Sequence, residues 1–302
     1  MNIALMFPGQ GAQSPGFLHR LSHHPAVYET LAEASALLAQ DVLTLDSEAS
    51  LASTVSAQIA LLVAGAAFAR FCAAEGLQPA AVAGMSVGAF AAAFAAGSID
   101  LASAITLVRR RAELMDHAFP ADTHGMLVVD GLRLSSVKLL IEGSDAVIAN
   151  YNCANQYVLA GRIAGLTSIA QHAVDAGAHT AKLLRMAVAS HTPELLPSAQ
   201  QLLELARQLP IAPPRITMYA SRNARSLHTA DAVRDELALN MAYPVRWHDL
   251  VTALGGLGVT LLIEAPPGHT LARLASAILP DVPAMAAEET RWDIILRAAR
   301  RS

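Results

Sequence analysis

The chain has 302 residues and a net charge of −4, and 54% of it is hydrophobic by a count that its alanines inflate. That length buries the core of one large domain or two, and the mild acidity, with no basic run beyond Arg109, Arg110 and Arg111, argues against nucleic acid as a partner. Cys72 and Cys153 lie far apart without CxxC or Cys/His spacing, so both read as small buried hydrophobes, with neither a metal site nor a disulfide framework expected.

"MNIALMFPGQ" has no basic n-region and no long apolar run, so no signal peptide is expected. Ile3 to Phe7 read as a buried strand, ended by Pro8 and Gly9 and opening into the polar loop "FPGQGAQ". Helical patterns follow at 25–40 and 55–74. The apolar run from Ile59 to Ala69 is broken by Arg70, short of the roughly 20 residues of a membrane span. A strand at 81–84 then leads into "GMSVG", residues 84–88.

Gly97 is placed to stop the next helix, and Asp100 to cap "DLASAITLVRRRAELMDHAF". In that helix Leu101, Ile105, Val108, Ala112 and Met115 define the buried face. Beyond it the rhythm changes: strand-like "GMLVVDG", a helix at 134–142, strand-like "DAVIAN" and "QYVLAG", a helix at 164–176, and strand-like "TAKLLRMAVA". This β-α-β-β-α-β order is ferredoxin-like and marks residues 122–191 as a small inserted domain. Residues 1–121 and 192–302 then form the large one, with a helix at 193–209, a strand near 215–220, a helix across 230–241 and a strand at 259–265. The fold class expected is α/β, a hydrolase-like, mostly parallel sheet with a ferredoxin-like insert.

Gly-x-Ser-x-Gly between a strand and a helix has two readings. Ser86 is a helix cap in a tight turn, or it is the nucleophile of an elbow that lifts its hydroxyl out of the fold. A nucleophilic serine needs a base. His191, in "AVASHTPEL", sits where the chain crosses between the two domains, a favoured place for a small-molecule site; His248 and His269 come next. An unperturbed ring would lose its basic form near pH 6.5. Counting about 100° per residue, Arg109 and Arg110 lie roughly 100° and 160° from Val108, whereas Arg111 lies only about 60° away. Arg111 therefore snorkels, pairs with an acid such as Glu113 or Asp116, or faces a polar cleft. Gln10, in the loop after the first strand, and Val87, the residue after Ser86, can offer backbone N–H groups to a developing oxyanion.

"FPGQGAQ", "GMSVGAF", "LVRRRAELM", "NYNCANQYVLAG", "SHT" at 190–192, "PVRW" at 244–247 and "IEAPPGHTL" run in order along the chain. This set resembles the malonyl-CoA:acyl-carrier-protein transacylase family. The resemblance implies an acyltransferase in which Ser86 is acylated by malonyl-CoA, His191 is its base, and Arg111 clamps the substrate carboxylate. It gives Gln10 and Val87 the oxyanion role and places Asn152 among the substrate-binding residues. Asn240 stands where the family usually has a glutamine whose carbonyl steadies the histidine. No bound cofactor is implied, since malonyl-CoA and the phosphopantetheine-type arm of an acyl carrier protein are substrates; neither nucleic acid nor a membrane is implied as a partner.

Fatty-acid-synthesis members usually carry GHSLGE at the elbow, and here Met85 and Ala89 replace the histidine and the glutamate. That loss is similar to the branch serving malonate decarboxylase, whose epsilon subunit loads a small carrier bearing a phosphoribosyl-dephospho-CoA arm. The expectation is thus a cytoplasmic, stand-alone malonyltransferase for malonate decarboxylase. The fatty-acid-synthesis transacylase is the alternative, and an esterase or thioesterase a more distant one.

Overall fold

Residues Ile3 to Phe7 are all buried, as in a strand covered on both faces of a parallel sheet. The computed structural model describes residues 2–120, 122–184 and 188–301. Its first elements are β1 (Ile3–Phe7), α1 (Pro25–Leu38), α2 (Glu48–Leu51), α3 (Thr54–Ala74), β2 (Ala81–Gly84), α4 (Gly88–Ala95) and α5 (Leu101–Asp116). Then come β3 (His124–Asp130), α6 (Leu134–Ile141), β4 (Val147–Cys153), β5 (Gln156–Arg162), α7 (Ile163–Asp175) and β6 (Thr180–Leu183). The chain continues through α8 (Leu196–Ala206), β7 (Thr217–Tyr219), β8 (Ser226–Leu227), α9 (Ala230–Leu239), α10 (Trp247–Gly256), β9 (Leu261–Glu264), α11 (Thr270–Ile278), β10 (Ala284–Ala286) and α12 (Trp292–Arg301).

Six strands form one sheet in the order β10-β9-β1-β2-β7-β8, parallel except for the β7/β8 pair. Side chains along β1 alternate between two cores: Ile3, Leu5 and Phe7 pack with α1, α3, α4 and α5, while Ala4 and Met6 face Trp247, Leu250 and Leu271 of α10 and α11. The second sheet is antiparallel, in the order β4-β5-β3-β6, with α6 and α7 packed on it. That is the strand order of a ferredoxin-like unit, and all four strands fall within 122–191. Residues 149–151 of β4 exchange backbone hydrogen bonds with Val245, tying this sheet to the "PVRW" segment.

Several boundaries shift. The strand expected over 180–189 is confined to β6, and Arg185, Met186 and Ala187 lie outside the described residues. The helix expected at 193–209 opens with a 3-10 turn at Pro193–Leu195 and ends at Ala206. The one expected across 230–241 stops at Leu239 and tightens into a 3-10 turn, Asn240–Ala242. α3, with 21 residues and a mean hydropathy of 1.7, is long and apolar enough to cross a membrane by composition alone. Its apolar window is 78% buried, so it is a core helix, packed by α1, α4 and α5. Gly97 adopts a φ of 69° after α4, and Asp100 accepts the Ser103 N–H at 2.7 Å, as the spacing predicted.

The carboxyl ends of β1 and β2 lie side by side, where parallel sheets place their sites. Their turns touch so closely that glycine is obligatory. A Cβ on Gly84 would sit 2.1 Å from the Gly88 carbonyl carbon, and one on Gly88 would sit 2.2 Å from the Phe7 oxygen. Backbone cannot give way as a side-chain tip can. Gly84→Ala should therefore destabilise the protein by about 3 kcal/mol or more, whereas Gly256→Ala, with nothing within 4 Å of its Cβ, should be neutral or stabilising by up to about 1 kcal/mol. Urea denaturation of the two variants checks the contrast.

Candidate active site

Ser86 occupies the turn between β2 and α4 with a φ of 55°, a conformation that costs a non-glycine residue about 1–3 kcal/mol. The turn holds because Met85 N–H donates to Phe7 O and Gly88 N–H to Met85 O, both at 2.9 Å. The strained turn exposes Oγ to a cavity of about 240 Å³ and leaves the N-terminal dipole of α4 beneath it.

His191 reaches Ser86 from 105 residues away, its Nε2 lying 2.9 Å from Oγ. Its Nδ1 lies 2.8 Å from the Asn240 carbonyl and 3.0 Å from that of Tyr243. Carbonyls only accept, so Nδ1 carries the proton and Nε2 is left free to take one from Ser86. The 3-10 turn after α9 aims the Asn240 carbonyl, and the Asn240 amide donates to Ser86 O at 3.3 Å, tying base and elbow together. Burial, and after it the charge of Arg111, pulls the ring's pKa down to about 4 against the opposing effect of the two carbonyls. The value near 6.5 expected of an unperturbed ring is thereby corrected. His248 and His269 make no contact with Ser86; His269 pairs with Glu289.

Arg111 is fully buried, while Arg109 and Arg110 are exposed. Nη1 donates to Gln58 Oε1 at 2.6 Å and Nη2 to Ser86 Oγ at 3.0 Å, and Nε has no partner. Among the described residues no carboxylate pairs with it; Glu113 lies 3.5 Å from Arg110 instead. Arg111 thus neither snorkels to solvent nor pairs with an acid among the described residues; it sits behind the cavity wall and reaches it through Gln58 and Ser86, which line it. Burial draws its pKa down to about 9, which leaves it charged at neutral pH. A charge buried among neutral partners costs free energy that an incoming carboxylate would recover.

Gln10 borders the cavity from the loop after β1, and its Oε1 accepts from Gln58 Nε2 at 3.2 Å. Val87 is the N-cap residue of α4. Among the described residues neither the Gln10 nor the Val87 backbone N–H is taken by a protein acceptor. Asn152 lines the cavity from β4, donating to Gln156 Oε1 at 3.0 Å. Two wall residues escaped the sequence reading. Asn150 is buried with its Oδ1 unpartnered. Gln58 links Arg111 to the Gln10 loop; its signal was a single amide at the start of the apolar run "AQIALLVAGAAFA".

The acyl transferase domain model matches residues 5–287. Malonyl CoA-acyl carrier protein transacylases from Salmonella typhimurium (33% identity, covering 95% of this chain and 96% of that protein) and Mycobacterium tuberculosis (34%, 94% and 95%) are similar along their length. The chain belongs to the malonyl-CoA:acyl-carrier-protein transacylase family. Among solved structures, the transacylase of Xanthomonas oryzae superposes with a TM-score of 0.92 at 33% identity over 99% of both chains. A malonyl-transacylase in complex with its type II polyketide synthase acyl-carrier protein gives 0.92 at 31% identity over 100% of both. The α/β fold with its small antiparallel sheet is thus that of the transacylases, and most of the motifs that carry the family resemblance place residues on the cavity at Ser86 or in contact with those that line it.

The low pKa of His191 has a consequence for reactivity. A ring that is neutral down to about pH 4 is a competent base throughout the range above it, and loses that capacity only as pH falls through about 4. Labelling of Ser86 by a neutral fluorophosphonate should stay level from pH 7.5 to about 5 and fall below that, and His191→Ala should lower it at least ~100-fold. An inflection near 6.5, read by intact mass against time, would refute a desolvated ring.

Proposed function

We propose that the protein transfers a malonyl group from malonyl-CoA, through an ester of Ser86, to the thiol of the prosthetic arm of an acyl carrier protein. One observation carries this: a fully buried guanidinium with no acid partner among the described residues stands 3.0 Å from the hydroxyl that His191 can deprotonate. Arg111 would pair with the free carboxylate of the acyl group and set its thioester carbon before Ser86. His191 Nε2 takes the Oγ proton as Oγ attacks, and the Gln10 and Val87 N–H groups receive the oxyanion. The tetrahedral intermediate collapses, the C–S bond breaks, and the CoA thiolate leaves with the proton from His191. The carrier thiol then reverses the sequence, its proton going to His191 and returning to Ser86 Oγ, which is ping-pong transfer. Asn240 and Tyr243 hold the ring tautomer throughout, and Asn152 contributes to the wall facing the arm. In the same reading residues 122–191 are the small domain, 1–121 and 192–302 the large one, with the cavity where their sheets meet, and the protein works in the cytoplasm beside the CoA pool.

The carrier is the finer question. The relatives carry the transacylase name of acyl-carrier-protein chemistry, which favours a carrier of the fatty-acid or polyketide kind over the malonate decarboxylase role read first from the elbow. Met85, which lines the cavity, and Ala89, buried in the first turn of α4, still support the decarboxylase carrier as a second reading. A plain esterase would leave Arg111 and Gln58 without a purpose.

Intact mass after brief exposure to malonyl-CoA should show one malonyl adduct, absent in Ser86→Ala. Incubation with a fatty-acid-type carrier and with a carrier bearing the phosphoribosyl-dephospho-CoA arm should load the first faster; the reverse order restores the decarboxylase role. Arg111→Ala should lower kcat/KM for malonyl-CoA about 100-fold or more and leave acetyl-CoA equal or better, while Arg109→Ala and Arg110→Ala leave the preference unchanged.

A further inference from the structure

We propose that the resting contact of Arg111 with Ser86 restrains the nucleophile and its base, and that the free carboxylate of the acyl substrate releases both by drawing the guanidinium to itself. The proposal rests on the reading above only in taking a carboxylate-bearing acyl group as the substrate.

Ser86 Oγ has one proton and two lone pairs. The proton points to His191 Nε2 at 2.9 Å, and Arg111 Nη2 donates to one of the lone pairs at 3.0 Å. Attack on a thioester needs a lone pair free and aimed at carbon. It also needs His191 to become an imidazolium while the negative charge moves away from Oγ to the oxyanion. The guanidinium opposes both changes, since it engages the oxygen and stands as a like charge beside the forming imidazolium. Ser86 and the Asn240 and Tyr243 carbonyls face the ring without formal charge, and among the described residues Arg111 is the charged group acting on it.

The partners of Arg111 show how the restraint lifts. Gln58 holds Nη1 at 2.6 Å, whereas Nε is buried and unpartnered. The edge made by Nε and Nη2 can therefore take a carboxylate in bidentate fashion. A carboxylate there competes with Ser86 for Nη2 and cancels the charge beside His191. Selectivity then arises in the acylation step as well as in binding: an acyl group without a carboxylate binds to a site that is still restrained, and loses in kcat.

The test follows labelling of Ser86 in the intact protein by a small neutral fluorophosphonate, which carries no carboxylate and does not depend on CoA chemistry. Sodium formate supplies the carboxylate, against sodium chloride at matched ionic strength, with Ser86→Ala as the site control. Formate should raise the wild-type rate about tenfold, and should raise kcat rather than lower KM for acetyl transfer from acetyl-CoA. Arg111→Met, which keeps the volume and removes the charge, should label faster than wild type without formate and gain nothing from it. A wild-type rate that formate leaves unchanged or lowers overturns the proposal, as does slower labelling by a folded Arg111→Met. Should that variant fail to fold, the wild-type formate series decides alone. Formate activation in a protein that takes no malonyl group from malonyl-CoA would support this restraint while sinking the assigned reaction.

Discussion

A guanidinium buried among neutral partners is the constraint around which this site is arranged. Arg111 is fully buried without an acid partner among the described residues, where its charge is stabilised by hydrogen bonds to the Gln58 amide and the Ser86 hydroxyl. Both partners must be held in place by other elements. α3 fixes Gln58 from the middle of the core, and the turn after β2 fixes Ser86. α5 delivers Arg111 between them because its buried surface extends over Leu107, Arg111 and Leu114 as well as the expected stripe. The site is thus assembled by three elements that pack on one face of the central sheet.

The second arm of the site comes from the other end of the chain. His191 has to offer Nε2 as an acceptor, and that depends on carbonyls with no side-chain chemistry of their own. Asn240 shows the economy of the arrangement: its carbonyl orients the ring while its amide ties the elbow. The group that orients the ring is a main-chain carbonyl, so its alignment does not depend on the identity of the side chain at 240. The depressed pKa of His191 is the cost of burying a base beside a fixed positive charge.

The wall opposite Ser86 comes from β4 and β5 of the small sheet. Met85, Met115 and Met126 lie on the cavity surface, together with the amides of Asn150 and Asn152. Thioethers adapt their shape at little cost, whereas amides present fixed donors and acceptors.

Much of this was legible in the sequence because it depends on local rules. The strand–glycine–serine–glycine–helix turn, the Asp100 cap, the Gly97 stop and the placing of Arg111 toward the interior each follow from a few neighbouring residues. The β-α-β-β-α-β order of the insert follows from periodicity alone. The ordered motifs added which histidine and which arginine to expect at Ser86. Tertiary structure alone decided what those residues do to one another. That Gln58 rather than an acid meets Arg111, and that burial and the charge of Arg111 carry His191 to about 4, both depend on contacts between residues about 50 to 100 positions apart. Desolvation and the charge of a distant neighbour are properties of packed space, and a chain read one residue at a time carries no measure of either.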